Sequence, residues 1–200
     1  MELFYSQASP FVRKVMVLLH EADKLDAVTL RQVSMTPLAP DAGHSSIAPL
    51  GKIPTLTRPD GPALFDSRVI TRYLDERFGT GLYPDARLWE TLTLEALADG
   101  IMDASVLMVY EGRTRPEEKR HEPWVDAQWS KIGRALDAIE ERWMSHLSGR
   151  LDMGQVAVAC ALGHLDFRHA SRNWRATRPN LAAWSERRAE RPSFKATRPE

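Results

Sequence analysis

Three places in the chain combine residue types and spacing that could do chemistry: Ser9, the Ile53-Pro54 dipeptide, and the pair Asp66-Ser67. Ser9 stands before Pro10, and a serine N-cap followed by proline at the first helical position marks a helix start. Unpaired N–H groups and the helix dipole at such an end favour an anion, and a hydroxyl placed there can donate to it. A plain N-cap gives the same local sequence. Asp66-Ser67 precede Val69, Ile70, Tyr73 and Leu74 at helical spacing, with Gly79 just past the end. There a carboxylate could take a cation while the hydroxyl and N–H groups take an anion, although capping alone explains the pair equally well. Pro54 opens a β-prone run and would remove a ladder donor in mid-sheet, so the backbone before it is expected to turn outward, as a cis Ile53-Pro54 bond would allow.

The surrounding pattern supplies elements to hold these residues. Leu3-Phe4-Tyr5 reads as a buried strand. Val12, Val15, Met16 and Leu19 continue the helix begun at Ser9, and Val28 to Val33 reads as a second strand. That order predicts a β-α-β unit with parallel strands. Met35 to Pro49, rich in Pro, Gly, Ser and Asp, reads as a surface loop with at most a helical turn. Thr55 to Thr57, the turn Arg58-Pro59-Asp60-Gly61 and Ala63-Leu64-Phe65 read as a hairpin that completes a small mixed sheet.

Everything beyond the linker Leu82-Tyr83-Pro84-Asp85 is expected to be helical. One long helix runs from Arg87 to about Glu111, and Arg113 to Glu122 is a charged connection. Pro123 opens a second long helix reaching Trp143. Asp152 with Gln155 three residues on forms a capping box leading into the nearly all-apolar VAVACALGHL, expected at the centre of a bundle. Pro179-Asn180 opens a further helix that Arg191-Pro192 closes.

Composition narrows the function classes. With 27 basic and 27 acidic residues the formal net charge is zero, so no global field draws nucleic acid or an anionic membrane. No apolar run approaches the ~20 residues that span a bilayer, and the N-terminus does not read as a signal peptide. Cys160 is the one cysteine, which excludes an internal disulfide and any CxxC centre and fits a reducing, cytoplasmic compartment. In its apolar helix it reads as an inert core residue. Asp99 and Asp103 lie four apart on the long helix, but no His or Cys stands beside them at ligand spacing, so no metal is expected. His44, His164 and His169 form no spaced constellation.

Taken in order, Ser9-Pro10-Phe11-Val12-Arg13-Lys14-Val15, Gly51-Lys52-Ile53-Pro54 with Asp66-Ser67, and the closing stretch from Arg178 to Pro199 resemble the glutathione S-transferases over nearly the whole chain. The resemblance implies a thioredoxin-like α/β domain over residues 1–80, a linker at 81–86, and an all-helical domain over 87–200, with glutathione between them. Where thioredoxin-like redox enzymes carry a reactive cysteine, this chain has Ser9. A serine cannot exchange disulfides, but it can donate to a ligand's thiolate and lower that thiol's pKa from ~8.5 toward neutrality.

Ser9 is thus the expected catalytic residue, with Tyr5 and Ser6 as rival hydroxyls. The family pattern assigns the main chain of Ile53, before a cis Pro54, to the cysteinyl backbone of the peptide, and Asp66 and Ser67 to its γ-glutamyl ammonium and carboxylate. Lys52 matches a position that often contacts the ligand. Phe11 and Met102 are the expected walls of a second-substrate pocket, with Val106, Met108 and Tyr110 as further members. Asp99 is a candidate for reaching the ligand of a neighbouring subunit. The implied activity is transfer of glutathione to a small, apolar electrophile by a cytoplasmic homodimer, with peroxide reduction or isomerisation open. A non-catalytic protein that binds ligands or partners on the same fold is the alternative.

Overall fold

The computed structural model describes residues 1–199. A four-stranded sheet in the order β2-β1-β3-β4 is built from β1 (Glu2–Tyr5), β2 (Thr29–Gln32), β3 (Thr55–Arg58) and β4 (Gly61–Leu64). β1 and β2 run parallel, joined by the crossover helix α1 (Pro10–Glu21), and the β3–β4 hairpin adds antiparallel on the other side of β1. Helices α2 (Ala42–Ile47) and α3 (Ser67–Phe78) complete this thioredoxin-like unit. Leu3 and Phe4 of β1 are both buried, so the strand is covered on its two faces. The Ile53–Pro54 peptide is cis.

The remainder is helical: α4 (Leu88–Thr114), α5 (Glu122–Arg142), α6 (Met144–Leu147), α7 (Met153–Arg168), α8 (Pro179–Ala189) and α9 (Pro192–Ala196). Twelve of the sixteen residues of α7 are buried, which places it at the centre, between α4 on one side and α1 on another. Its start differs in part from the expected reciprocal box. Asp152 Oδ1 accepts the Gln155 N–H at 3.0 Å, but the Gln155 side chain donates instead to the Arg150 carbonyl at 2.7 Å, closing the preceding loop. Arg191-Pro192 ends α8 and immediately opens α9. That last helix returns to the first: Arg13 donates to the Phe194 carbonyl at 3.1 Å and Arg191 pairs with Glu21.

Candidate functional site

The site begins where β1 delivers the chain to α1. Ser9 is the N-cap, half-buried, and its Oγ accepts the Val12 N–H at 3.3 Å. That bond uses a lone pair and leaves the hydroxyl proton without a protein acceptor among the described residues. Tyr5 ends β1 packed against the core, and Ser6 offers its carbonyl to the Ser9 N–H at 3.0 Å. Antiparallel pairing of β1 with β3 sets Phe4 opposite Thr55, so Ile53-Pro54 runs alongside Tyr5-Ser6. Ile53 is half-buried, and neither its N–H nor its C=O has a backbone partner among the described residues. A main-chain donor and acceptor left open beside Ser9 can take an extended peptide as an added strand. Lys52 is exposed next to them.

Asp66 and Ser67 start α3 as the pattern predicts. Asp66 is the N-cap, its Oδ1 accepting the Arg68 N–H at 3.0 Å, and Arg68 Nη2 donates to its Oδ2 at 3.0 Å. Partial burial works against the Asp66 charge, but the bonds from Arg68 outweigh it and hold the carboxyl below its ordinary range. Ser67, by contrast, is only 1% exposed. Its Oγ accepts from Lys14 Nζ at 3.3 Å.

Lys14 organises a buried network that no sequence motif announced. Its ammonium, wholly buried on α1, donates to Asp99 Oδ1 at 2.8 Å and lies 2.7 Å from Glu95 Oε1, both on α4. The Glu95 contact is off the hydrogen-bond axis, but charge attraction is not directional and the ion pair stands. The second oxygen of Glu95 accepts from the Tyr83 hydroxyl at 2.9 Å, which in turn meets Thr71 of α3 at 2.7 Å. Burial opposes the Lys14 charge, yet Glu95 and Asp99 together more than offset it and raise its pKa. Asp99, desolvated and sharing one cation with a second carboxylate, is pushed up to about 6. The same Asp99 lies 3.6 Å from Arg68 Nε, so exposed Asp66–Arg68 and buried Lys14 are linked through it. Asp99 is thereby engaged within its own chain. Asp103, one turn on, is exposed.

On the other side of Ser9 a narrow crevice is shared with Arg13, Cys160 and His164. The i, i+4 spacing of Cys160 and His164 on α7 presents both to α1. His164 is buried and neither ring nitrogen has a partner among the described residues. Desolvation, assisted by His169 and nearby arginines, drives its pKa down to about 3, so the imidazole is neutral. Burial pushes the Cys160 thiol up to about 11, which suits an inert core residue.

An open cavity of about 580 Å³ lies between the loop after β2 and the C-terminal half of α4. Tyr110 lines it, as does Leu107, which the pattern did not single out. Of the two side chains expected as pocket walls, Phe11 keeps part of its surface exposed and Met102 does not. Phe11 packs half-buried against the core, and Met102 is fully buried within it and has no surface to offer a substrate. Helical spacing could not separate the core face of α4 from its cavity face, because this helix is apolar around much of its circumference. Among the described residues no group of three or more His, Cys, Asp or Glu side chains converges on a metal position, and no helix is long and apolar enough to cross a membrane.

A small thioredoxin-like unit joined to an all-helical one, with a serine capping the first helix opposite a cis-proline turn, is the architecture of glutathione-binding transferases. Family models agree with it: residues 8–77 match the glutathione S-transferase N-terminal domain and residues 122–187 the C-terminal domain. The chain belongs to the glutathione S-transferase family. It is 35% identical over 205 residues to the uncharacterised GST-like protein YibF of Escherichia coli (strain K12), covering 100% of this chain and 98% of that one. A glutathione transferase family member from Pseudomonas fluorescens Pf-5, solved with bound glutathione, has a TM-score of 0.97 at 50% identity, covering 100% of this chain and 98% of that one. A glutathione S-transferase from Methylobacillus flagellatus KT, solved with glutathione bound, has a TM-score of 0.86 at 35% identity, covering 100% and 99%.

Proposed function

We propose that the protein is a glutathione transferase in which the Ser9 hydroxyl stabilises the thiolate of bound glutathione for attack on a small electrophile. The carrying observation is the unspent hydroxyl proton of Ser9 at a helix N-terminus, beside the open main-chain groups of Ile53. Solved relatives that hold glutathione support the choice of ligand. Ile53 pairs with the cysteinyl backbone, and exposed Asp66 takes the γ-glutamyl ammonium. The N-terminal end of α3, where Ser67 stands, faces the γ-glutamyl carboxylate. Lys52 adds positive charge beside the anionic peptide.

In the chemical step the thiol gives its proton to solvent and the sulfur forms a bond to an electrophilic carbon, whose leaving group departs with its electron pair. Ser9 lowers the cost of the thiolate, and the clamp turns a bimolecular encounter into a positioned one. The proposed assembly is a homodimer, for which the exposed apolar side chains Phe65, Val69 and Trp89 supply surface at the start of α3 and of α4. Replacing Ser9 with alanine tests the role. Turnover with a reactive aryl halide should fall at least tenfold while glutathione affinity stays nearly constant. Unchanged turnover would remove Ser9 from the chemistry, and absence of turnover in the wild type with glutathione still bound would favour a binding protein.

A further inference from the structure

The cavity beside α4 has a chemistry of its own. Asp103, Leu107, Glu111 and Thr114 share one face of α4 by their spacing. Asp103 lies within electrostatic reach of Lys52, Arg68 and Asp66, so the stripe starts at the proposed peptide site. At ~1.5 Å per residue, Leu107 follows about 6 Å further along and Glu111 about 12 Å. There the stripe becomes one wall of the cavity, whose volume of about 580 Å³ suits a small molecule. The facing wall is Pro37 and Leu38, at the tip of a turn closed by main-chain bonds between Thr36 and Ala39. Leu38 is 75% exposed and Leu107 45%, so apolar surface stands open on both sides, and Trp124 adds an aromatic face.

The polar groups are one-sided. The carboxylate in the lining, Glu111, has both oxygens occupied: Oε2 accepts from Arg115 Nε at 2.7 Å and Oε1 from the His121 N–H at 3.1 Å. These bonds hold its carboxyl below the ordinary range. In contrast, the Lys119 ammonium and the Tyr110 hydroxyl, both in the lining, make no side-chain hydrogen bond or ion pair among the described residues; the bond at Tyr110 is to its carbonyl, from the Thr114 hydroxyl. Arg115, also in the lining, is spent on Glu111, so what the cavity leaves available is apolar surface, the Lys119 cation with no carboxylate of its own, the Tyr110 hydroxyl and the His121 ring.

Resting on the transferase reading above, we propose that this cavity is the second-substrate site and that it selects electrophiles with an apolar body and a carboxylate. The carboxylate meets Lys119 and Tyr110, the body lies between Leu38, Leu107 and Trp124, and the reactive carbon points back along α4 toward the thiol. For a benzylic halide the sulfur–carbon bond forms as the carbon–halogen bond breaks, and the halide leaves with the bonding pair.

The test is calorimetric titration of the full chain with glutathione, S-benzylglutathione and S-(4-carboxybenzyl)glutathione, in wild type and in the double variant Lys119→Met/Tyr110→Phe. A charge-assisted contact should give the carboxybenzyl conjugate about a tenfold advantage over the benzyl one in the wild type. The double variant should abolish that advantage and leave glutathione affinity unchanged. Turnover of 4-(bromomethyl)benzoate relative to its methyl ester should follow the same order. Equal affinity for the two conjugates in the wild type, or an advantage surviving in the double variant, overturns this inference alone. A wild type that does not bind glutathione overturns the transferase reading and this inference with it.

Discussion

Lys14→Met removes one charge and keeps most of the side chain's length, which isolates what the buried ammonium does. Lys14 and Glu95 have no exposed side-chain surface and Asp99 has 10%, so the variant leaves two carboxylates sharing a dry site without their cation. Removing one partner of a buried ion pair costs about 3–5 kcal/mol, a large share of the ~5–15 kcal/mol that holds a domain folded. The cost should depend on pH in a definite direction. The Asp99 carboxyl sits at about 6 in the folded chain against an ordinary 3.8, so between those values the native state holds more protons than the unfolded one. Its contribution to stability is therefore most favourable at low pH and declines as pH rises to about 6. Without Lys14 the Asp99 pKa climbs further, and protonation relieves part of the damage in acid.

Urea denaturation of the wild type, Lys14→Met and Lys14→Met/Glu95→Gln at about pH 5 and about pH 8 reads these terms. The single variant should lose about 3 kcal/mol or more at the higher pH and clearly less at the lower, and the double variant should recover much of the loss. A loss below about 1 kcal/mol at both pH values, or a double variant no better than the single, would show that the buried ammonium does not offset the Glu95 and Asp99 charges.

Three further outcomes follow from groups near the site. His164 has its folded pKa depressed from 6.5 to about 3, so its neutral form stabilises the native state above pH 6.5 and that stability drains away as pH falls toward 3. At ~1.4 kcal/mol per pH unit the full window is worth about 5 kcal/mol, and His164→Leu should flatten the acid limb of the stability curve; an unchanged limb would show that the imidazole is not buried neutral. Cys160, with its thiol raised to about 11, should resist iodoacetamide in the native protein and react promptly once urea unfolds it, and rapid native labelling would contradict its place in the core. Asp66→Ala removes the cap of α3 and a partner of Arg68, so stability should drop by about 1 kcal/mol and glutathione affinity should weaken, both measurable by titration calorimetry and denaturation.

The elements were legible where a local signal fixes them. Ser9-Pro10 announces α1 to the residue, Asp66 announces α3, and Pro123 and Pro179 mark the starts of α5 and α8. The hairpin follows from proline and glycine placement, and the cis Ile53–Pro54 bond is one that Pro54 at the start of the strand allows and the family pattern implies. Long-range partners were not legible. Lys14, Glu95 and Tyr83 come from three separate segments, and each alone resembles an ordinary helix or linker residue; only the fold brings them within hydrogen-bond reach. Met102 and Leu107 show the same limit within one helix. Both are apolar and both fit α4, yet one is sealed in the core and the other lines the cavity, a difference set by neighbours that periodicity does not encode.

The central claim is that the bound thiol is activated at Ser9, and ultraviolet absorbance of the thiolate during a pH titration of the glutathione complex measures it directly. A hydroxyl bond to an anion, worth roughly 1.5–3 kcal/mol, lowers the thiol midpoint by about one to two pH units from ~8.5. The account predicts a midpoint of about 6.5–7.5 in the wild type that returns toward ~8.5 in Ser9→Ala. A bound thiol that titrates near ~8.5 in the wild type would contradict it.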